Sequence, residues 1–269
     1  MSPAVSVLVP SFNSGDFFAL ALRSALTQEG VELEVLVQDG GSNDGSLEAA
    51  AAELADPRVH LRVEPDGGQA DALNRALDRA TGTWVAWLNG DDLLEPDGLR
   101  ALLDAAPDDA EALFGDFRTI DASGRSLKRY TAAPLELDRL LRHGHYVFSG
   151  ALLVRRDVLE RLGRFRPELA YCMDYDLLLR IAADARSHHV DAVVASYRVQ
   201  PASKTSTSSV GFLREHVRVA RAHGGFRRDR AIGTTRAILA HAVYTASRPL
   251  WETDLWRRFR PVVHRGGRG

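Results

Sequence analysis

Carboxylates and amides collect in this chain where short apolar runs end. Val5 to Val9 leads into Pro10, Ser11, Phe12 and Asn13, and Leu33 to Val37 leads into Asp39, Gly40, Gly41, Ser42, Asn43 and Asp44. Trp84 to Leu88 leads into Asn89, Gly90, Asp91 and Asp92. In an open parallel sheet, ligands bind outside the carboxyl ends of the strands, so these segments gather polar groups along one edge. The carboxylates of Asp91 and Asp92 repel each other unless a cation lies close. A hard divalent ion, Mg2+ or Mn2+, answers that need, held by one or two carboxylates and by the oxygens of a substrate diphosphate. The plainer alternative is that Asp92 caps a following helix. The Asp39 turn fits neither the G-x-G-x-x-G loop nor the calcium loop D-x-[DN]-x-[DN]-G. It reads as a tight turn whose glycines let a ligand approach while Asp39 accepts hydrogen bonds from a nucleobase or ribose, or as a simple turn capped by Asp44.

The elements that must hold these groups alternate. Apolar runs at 5–9, 33–37, 59–63 and 84–88 are separated by helical patterns at 17–26, 47–54 and 70–80, the signature of βαβ units and a parallel sheet covered on both faces. From Ala112 the pattern is mixed: a strand-like run to Phe117, a turn at Asp121 to Gly124, a second run from Ser126 to Tyr130, and a helix from Pro134. Strands over 147–154 and 190–197, with helices over 157–162 and 175–185, complete an α/β body. Beyond Ser209 the periodicity is helical, interrupted at Gly224, Gly225 and Pro249.

The 269 residues suffice for one large α/β domain with an appendage. Cys172 is the single cysteine, which precludes an intrachain disulfide and a cysteine zinc cluster and fits a reducing compartment. The longest apolar stretches fall well short of the roughly 20 residues that a membrane span requires. The formal net charge is −2, yet residues 205–269 hold thirteen arginines against four acids. Such a tail suits an anionic membrane surface or a phosphorylated acceptor, and equally an ordinary solvated helix. Without an aromatic-interleaved basic platform, nucleic acid is not an expected partner.

Pro10-Ser11-Phe12-Asn13, the Asp39-Gly40-Gly41-Ser42 turn, Gly68-Gln69-Ala70-Asp71-Ala72-Leu73-Asn74 and Trp87-Leu88-Asn89-Gly90-Asp91-Asp92 resemble, in order and spacing, the family 2 inverting glycosyltransferases. The resemblance continues through Phe148 to Arg155, Leu162 to Phe165, Met173 to Leu177 and Tyr197 to Gln200. It implies a GT-A-type, Rossmann-like, mostly parallel sheet flanked by helices over residues 1–205, followed by a basic helical C-terminal extension at 206–269. It further implies a metal-dependent enzyme that moves a sugar from a nucleotide-diphosphate sugar, UDP first among the nucleotides, to a saccharide or lipid-linked saccharide. Carried over by position, Pro10, Ser11, Asn13, Asp39 and Gly40 border the nucleotide, with Asp39 recognising the base. Gln69, Asp71 and Asn74 lie beside ribose or sugar, and Asp92 contacts one of them. Asp91 is then the principal metal ligand, with Asn89 a neutral second. Asp174 becomes the general base that deprotonates the acceptor hydroxyl, although an Asp at a helix start is also a common cap and Asp176 competes for the role.

The sequence departs from the family pattern in three places. Asn89 replaces the first acid of the metal motif, Gln200 stands where many relatives place a metal-binding His, and no Gln-x-x-Arg-Trp segment follows, which argues against a processive synthase. His143, His145, His188 and His189 lack metal-ligand spacing and read as surface or turn histidines, while Lys204 either approaches the diphosphate or is an ordinary solvated lysine. A catalytically idle sugar-nucleotide binder and a nucleotidyltransferase are the competing readings. The expected location is cytoplasmic, with contact at the inner face of the plasma membrane through the basic tail.

Overall fold

The computed structural model describes residues 4–199, 209–227 and 229–239. Val5–Ser11 (β1), Leu33–Asp39 (β2), Val59–Val63 (β3) and Trp84–Trp87 (β4) pair in parallel, in the spatial order β3-β2-β1-β4. β1 and β2 are buried along their whole length, which is why they read as unbroken apolar runs. Alternate residues serve opposite faces: Leu8 and Leu36 enter one core cluster, while Val7, Val9, Val35 and Val37 enter the other.

Helix Phe17–Leu26 (α1) buries Phe18, Ala21, Leu22 and Ala25 at helical spacing. The expected helix over 47–54 is two short ones, Ser46–Ala49 (α2) and Ala51–Leu54 (α3), because the backbone at Ala50 leaves helical geometry (φ −96°, ψ 12°). Gln69–Leu77 (α4) covers the opposite face with Ala70, Leu73, Ala76 and Leu77. Under the strands, Glu34 Oε1 accepts hydrogen bonds from Ser6 Oγ (2.6 Å), Thr81 N (2.7 Å) and Thr81 Oγ1 (2.9 Å). Gly82 must be glycine there, since a Cβ would lie 2.6 Å from Ser6 N.

Past β4 the sheet changes sense. It contains Leu93–Leu94 (β5), Ala112–Ile120 (β6), Ser126–Tyr130 (β7), Leu152–Arg155 (β8) and Ser187–Arg198 (β9), and its order runs on from β4 as β8-β6-β9-β5, with β7 paired to β6. β8 is antiparallel to both β4 and β6, β9 is parallel to β6, and β5 is antiparallel to β9. Parallel pairing thus dominates the N-terminal half and mixed pairing the rest. The hairpin of β6 and β7 forms around 121–124 as its turn residues require, with Gly124 at φ 82°.

Gly98–Asp104 (α5), Leu137–His143 (α6), Arg156–Arg161 (α7) and Met173–Asp184 (α8) complete the body. Ser209–Ala222 (α9) adds Val219 and Ala220 to the larger core cluster. None of the described helices is long and apolar enough to cross a membrane.

Candidate active site

A cleft of ≈ 1060 Å³ opens beyond the carboxyl ends of β1 and β4, and Pro10, Ser11, Asn13, Gly40, Gln69, Asn89, Asp91 and Asp174 all line it. The loops after β1 and β2 are laced together. Asn13 N donates to Ser42 Oγ (2.8 Å), Asn43 N to Asn13 Oδ1 (3.0 Å) and Gly15 N to Asp44 Oδ2 (2.9 Å). This geometry holds Asn13 in the left-handed region (φ 51°), which asparagine tolerates better than most residues. Asp44 also accepts from Ser46 N and Ser46 Oγ, an Asx-type turn. Phe12 stands 64% exposed on the cleft wall beside Gly40, where a Cβ would come within 3.2 Å of the ring.

The turn after β4 depends on one amide. Asn89 Oδ1 accepts from Trp87 Nε1 and Gln69 Nε2, both at 2.8 Å, and Asn89 Nδ2 donates to Asp92 Oδ2 at 2.8 Å. Both lone pairs of that oxygen are engaged, so Asn89 acts as a strut and has none left for a cation. Asp92 is fully buried, accepts Arg198 N at 2.9 Å, and is neither at the cleft surface nor a helix cap. Burial and the neighbouring Asp91 push its carboxyl up to about 8, against the hydrogen bonds from Arg198 and Asn89. Arg198, itself 1% exposed, donates to Asp91 O (2.8 Å) and Asp121 O (3.0 Å) and lies over the Phe17 ring at 4.3 Å. It fastens the acidic turn to the β6–β7 hairpin. Gly90 allows the turn to meet Ser14, whose Oγ would be 2.6 Å from an added Cβ.

Three further candidates sit behind the wall. Asp39 is buried, and its carboxylate accepts from Gly41 N, Ser42 N and Ser42 Oγ, shaping the turn that presents Gly40. Asp71 accepts from Gly67 N and pairs with Arg75. Asn74 exchanges two hydrogen bonds with the Phe165 backbone.

On the facing wall the structure separates the two acids of α8. Asp174 lines the cleft with 27% of its side chain exposed, its Oδ1 accepting Tyr175 N at 2.7 Å and its Oδ2 lying 3.5 Å from His145 Nδ1. Asp176 is fully buried among Arg180 (2.8 Å), Arg166 (3.2 Å) and His223 (3.0 Å). Burial alone would raise its pKa, but the His223 hydrogen bond and the two guanidinium charges outweigh that and hold it low.

The segment before α8 has no side-chain cap of its own. Glu215 of α9 supplies the anion instead, accepting the backbone N–H groups of Ala170 (2.9 Å), Tyr171 (2.7 Å) and Cys172 (3.1 Å). A carboxylate at a helix N-terminus is favourable both as acceptor and as counter-charge. Sequence reasoning missed Phe12, His145, Arg198 and Glu215. An exposed-position aromatic after β1 was a usable signal for the first, whereas the others depend on long-range pairing that no local pattern encodes. Gln200 and Lys204 lie outside the described residues.

For a divalent cation the fit is narrow. Among the described residues no group of three or more His, Cys, Asp or Glu could hold one. What the wall offers is Asp91, a hard oxygen donor on the cleft surface, and a cation held by one carboxylate and completed by substrate phosphate oxygens is ordinary magnesium chemistry.

Comparison with known proteins bears on the fold and the family. A succinoglycan biosynthesis protein of Rhizobium meliloti is 32% identical over 191 residues, covering 65% of this chain and 55% of its own length. The chain therefore spans about half of that relative. S. aureus TarS in complex with UDP-GlcNAc superposes with a TM-score of 0.66 at 19% identity, over 92% of this chain and 73% of that one. A mannosyltransferase from Pyrobaculum calidifontis, in complex with GDP-Man and Mn2+, gives 0.59 at 21% identity, over 96% and 83%. Both likenesses establish the GT-A fold. The model of "Glycosyl transferase family 2" matches residues 6–163, and with that match over more than half its length the chain belongs to glycosyltransferase family 2.

Proposed function

We propose that this cleft binds a nucleoside-diphosphate sugar, with UDP as the nucleotide, and transfers the sugar with inversion to a hydroxyl of a saccharide or lipid-linked saccharide. The observation that carries this reading is that one cleft is lined by Asp91 on its strand-end wall and by Asp174 on the wall made by α8. Asp174 takes the proton of the acceptor hydroxyl, whose oxygen attacks the anomeric carbon on the side opposite the leaving nucleotide. Phe12 offers a ring face to the base, and Asp39 acts on the base through the turn that sets Gly40 at the surface. Gln69 faces ribose or sugar, with Asp71 fixing the start of α4 and Asn74 tying that helix to Phe165, while Asp92 supports them from beneath the floor. Asp91 would hold a divalent cation, Mn2+ or Mg2+, which when bound offsets charge on the departing diphosphate. The nucleotide complexes of the two structural relatives and the succinoglycan role of the sequence relative support the donor class and a place in polysaccharide synthesis.

Calorimetry across UDP-, dTDP- and GDP-sugars, with Mn2+ or Mg2+ and with wild type and Asp91→Ala, tests the donor site. Cation-dependent binding of a UDP-sugar that disappears in Asp91→Ala is expected, and absence of binding to all three donors would overturn the reading. NMR of the product tests inversion separately, because a retained anomeric configuration contradicts a single displacement.

A further inference from the structure

α9 has two unlike faces. Its inward face carries Glu215, the helix's one acid, which grips the Ala170–Cys172 backbone, together with Val219 and Ala220 in the core. Its outward face repeats every turn: Val210, Arg214, Arg218 and Arg221 fall at helical spacing, and all four are exposed, Val210 by 62%. The stripe continues past the helix end, where Arg221 lies 5.7 Å over the ring of Phe226, itself 37% exposed. The following helical run, 231–239, shows the same pairing of types, with Ile232, Arg236 and Leu239 exposed at helical spacing.

Exposed apolar side chains set among guanidinium groups do not suit bulk water alone. The combination matches an interface that is anionic at its surface and apolar just beneath. We propose that the outward face of α9 docks on an anionic lipid surface. Charge complementarity decides the occupant: three arginines on one face, with the single acid of the helix turned inward, select negative headgroups, and Val210 and Phe226 reach the acyl boundary. Duplex nucleic acid would also attract the arginines, but it offers nothing to the apolar half of the stripe.

The placement has a functional side that rests on the transferase reading. Glu215 fixes α9 to the same segment, 170–174, that contributes Ala170, Tyr171, Met173 and Asp174 to the cleft. Docking through α9 therefore brings the base-bearing wall, rather than the nucleotide-bearing wall, next to the lipid, where a lipid-borne acceptor arrives.

The test is sedimentation of the full chain with phosphatidylcholine vesicles, with and without phosphatidylglycerol, at low and high salt. Wild type should bind only the anionic vesicles and release at high salt. The triple variant Arg214→Gln, Arg218→Gln, Arg221→Gln should bind on the order of a hundredfold more weakly, with donor affinity and melting temperature unchanged. Equal binding by the triple variant, no binding by wild type, or retention on duplex DNA without binding to vesicles would each overturn the proposal. Donor affinity is read independently, so failure of the docking surface and failure of the transferase reading give different results.

Discussion

Asp174 and Asp176 are two residues apart in sequence, yet their surroundings assign them opposite tasks. Asp174 keeps a solvated face in the cleft, whereas Asp176 is enclosed by Arg180, Arg166 and His223. Asp174→Asn should reduce transfer by about a hundred- to ten-thousand-fold, the usual contribution of a general base, with donor affinity and stability intact. Asp176→Asn should instead destabilise the fold by about 3–5 kcal/mol, because Arg180 is left buried without its counter-charge. Parallel measurement of kinetics and urea denaturation on the two variants checks both statements, and the opposite pattern would reverse the assignment. Periodicity places both acids at a helix start, and only the resemblance favours Asp174. Which one faces the ligand is decided by Arg166 and His223, whose approach is set by the fold. The same holds for His145, a turn histidine by sequence and a neighbour of Asp174 in the structure.

Elements built from local contacts were legible in advance. The βα alternation up to Trp87, the hairpin around 121–124 and the amphipathic helix bearing Asp174 all follow from periodicity and turn chemistry. The sense of pairing beyond β4 was not legible, because a strand such as β8 carries the same apolar run whether its neighbours are parallel or antiparallel. α9 shows a second limit. Its helical period is plain, but the attachment of Glu215 across more than forty residues of chain is not. Glu215→Ala should remove three charge-assisted hydrogen bonds from the segment before α8 and destabilise the protein by about 2–3 kcal/mol. On the proposed reading, transfer should fall more than donor affinity does, since Asp174 is on the loosened wall and the strand-end wall proposed for the nucleotide is not. Calorimetric donor binding alongside steady-state rates distinguishes these effects, and equal loss of both would contradict a positioning role.

Across the whole molecule, buried carboxylates tie distant parts together. Glu34 joins β1, β2 and the turn at 81–82, Asp116 joins β6 to Arg129, His189 and Ala132, and Asp176 joins α8 to His223, just past α9. In each case burial acts to raise the pKa, and hydrogen bonds with neighbouring cations or donors outweigh it and leave the group lowered. Their contribution to stability is therefore complete above their ordinary values of 4.5 for Glu and 3.8 for Asp, and is lost as pH falls through the lowered folded values. Urea midpoints should drop steeply on acidification below about pH 5, with a shallower drop in Glu34→Gln, as circular dichroism would show. Asp92, raised to about 8, should instead lift them as pH falls from about 8 toward about 5. The hold of Glu215 on residues 170–172 also bears on how the protein is made. Pro10 through Asp92, the strand-end side of the cleft, precede the other half in synthesis. The helix that carries Asp174 receives its Glu215 anchor only after residue 215 has left the ribosome, so that wall of the cleft is the last part of it to be completed during synthesis.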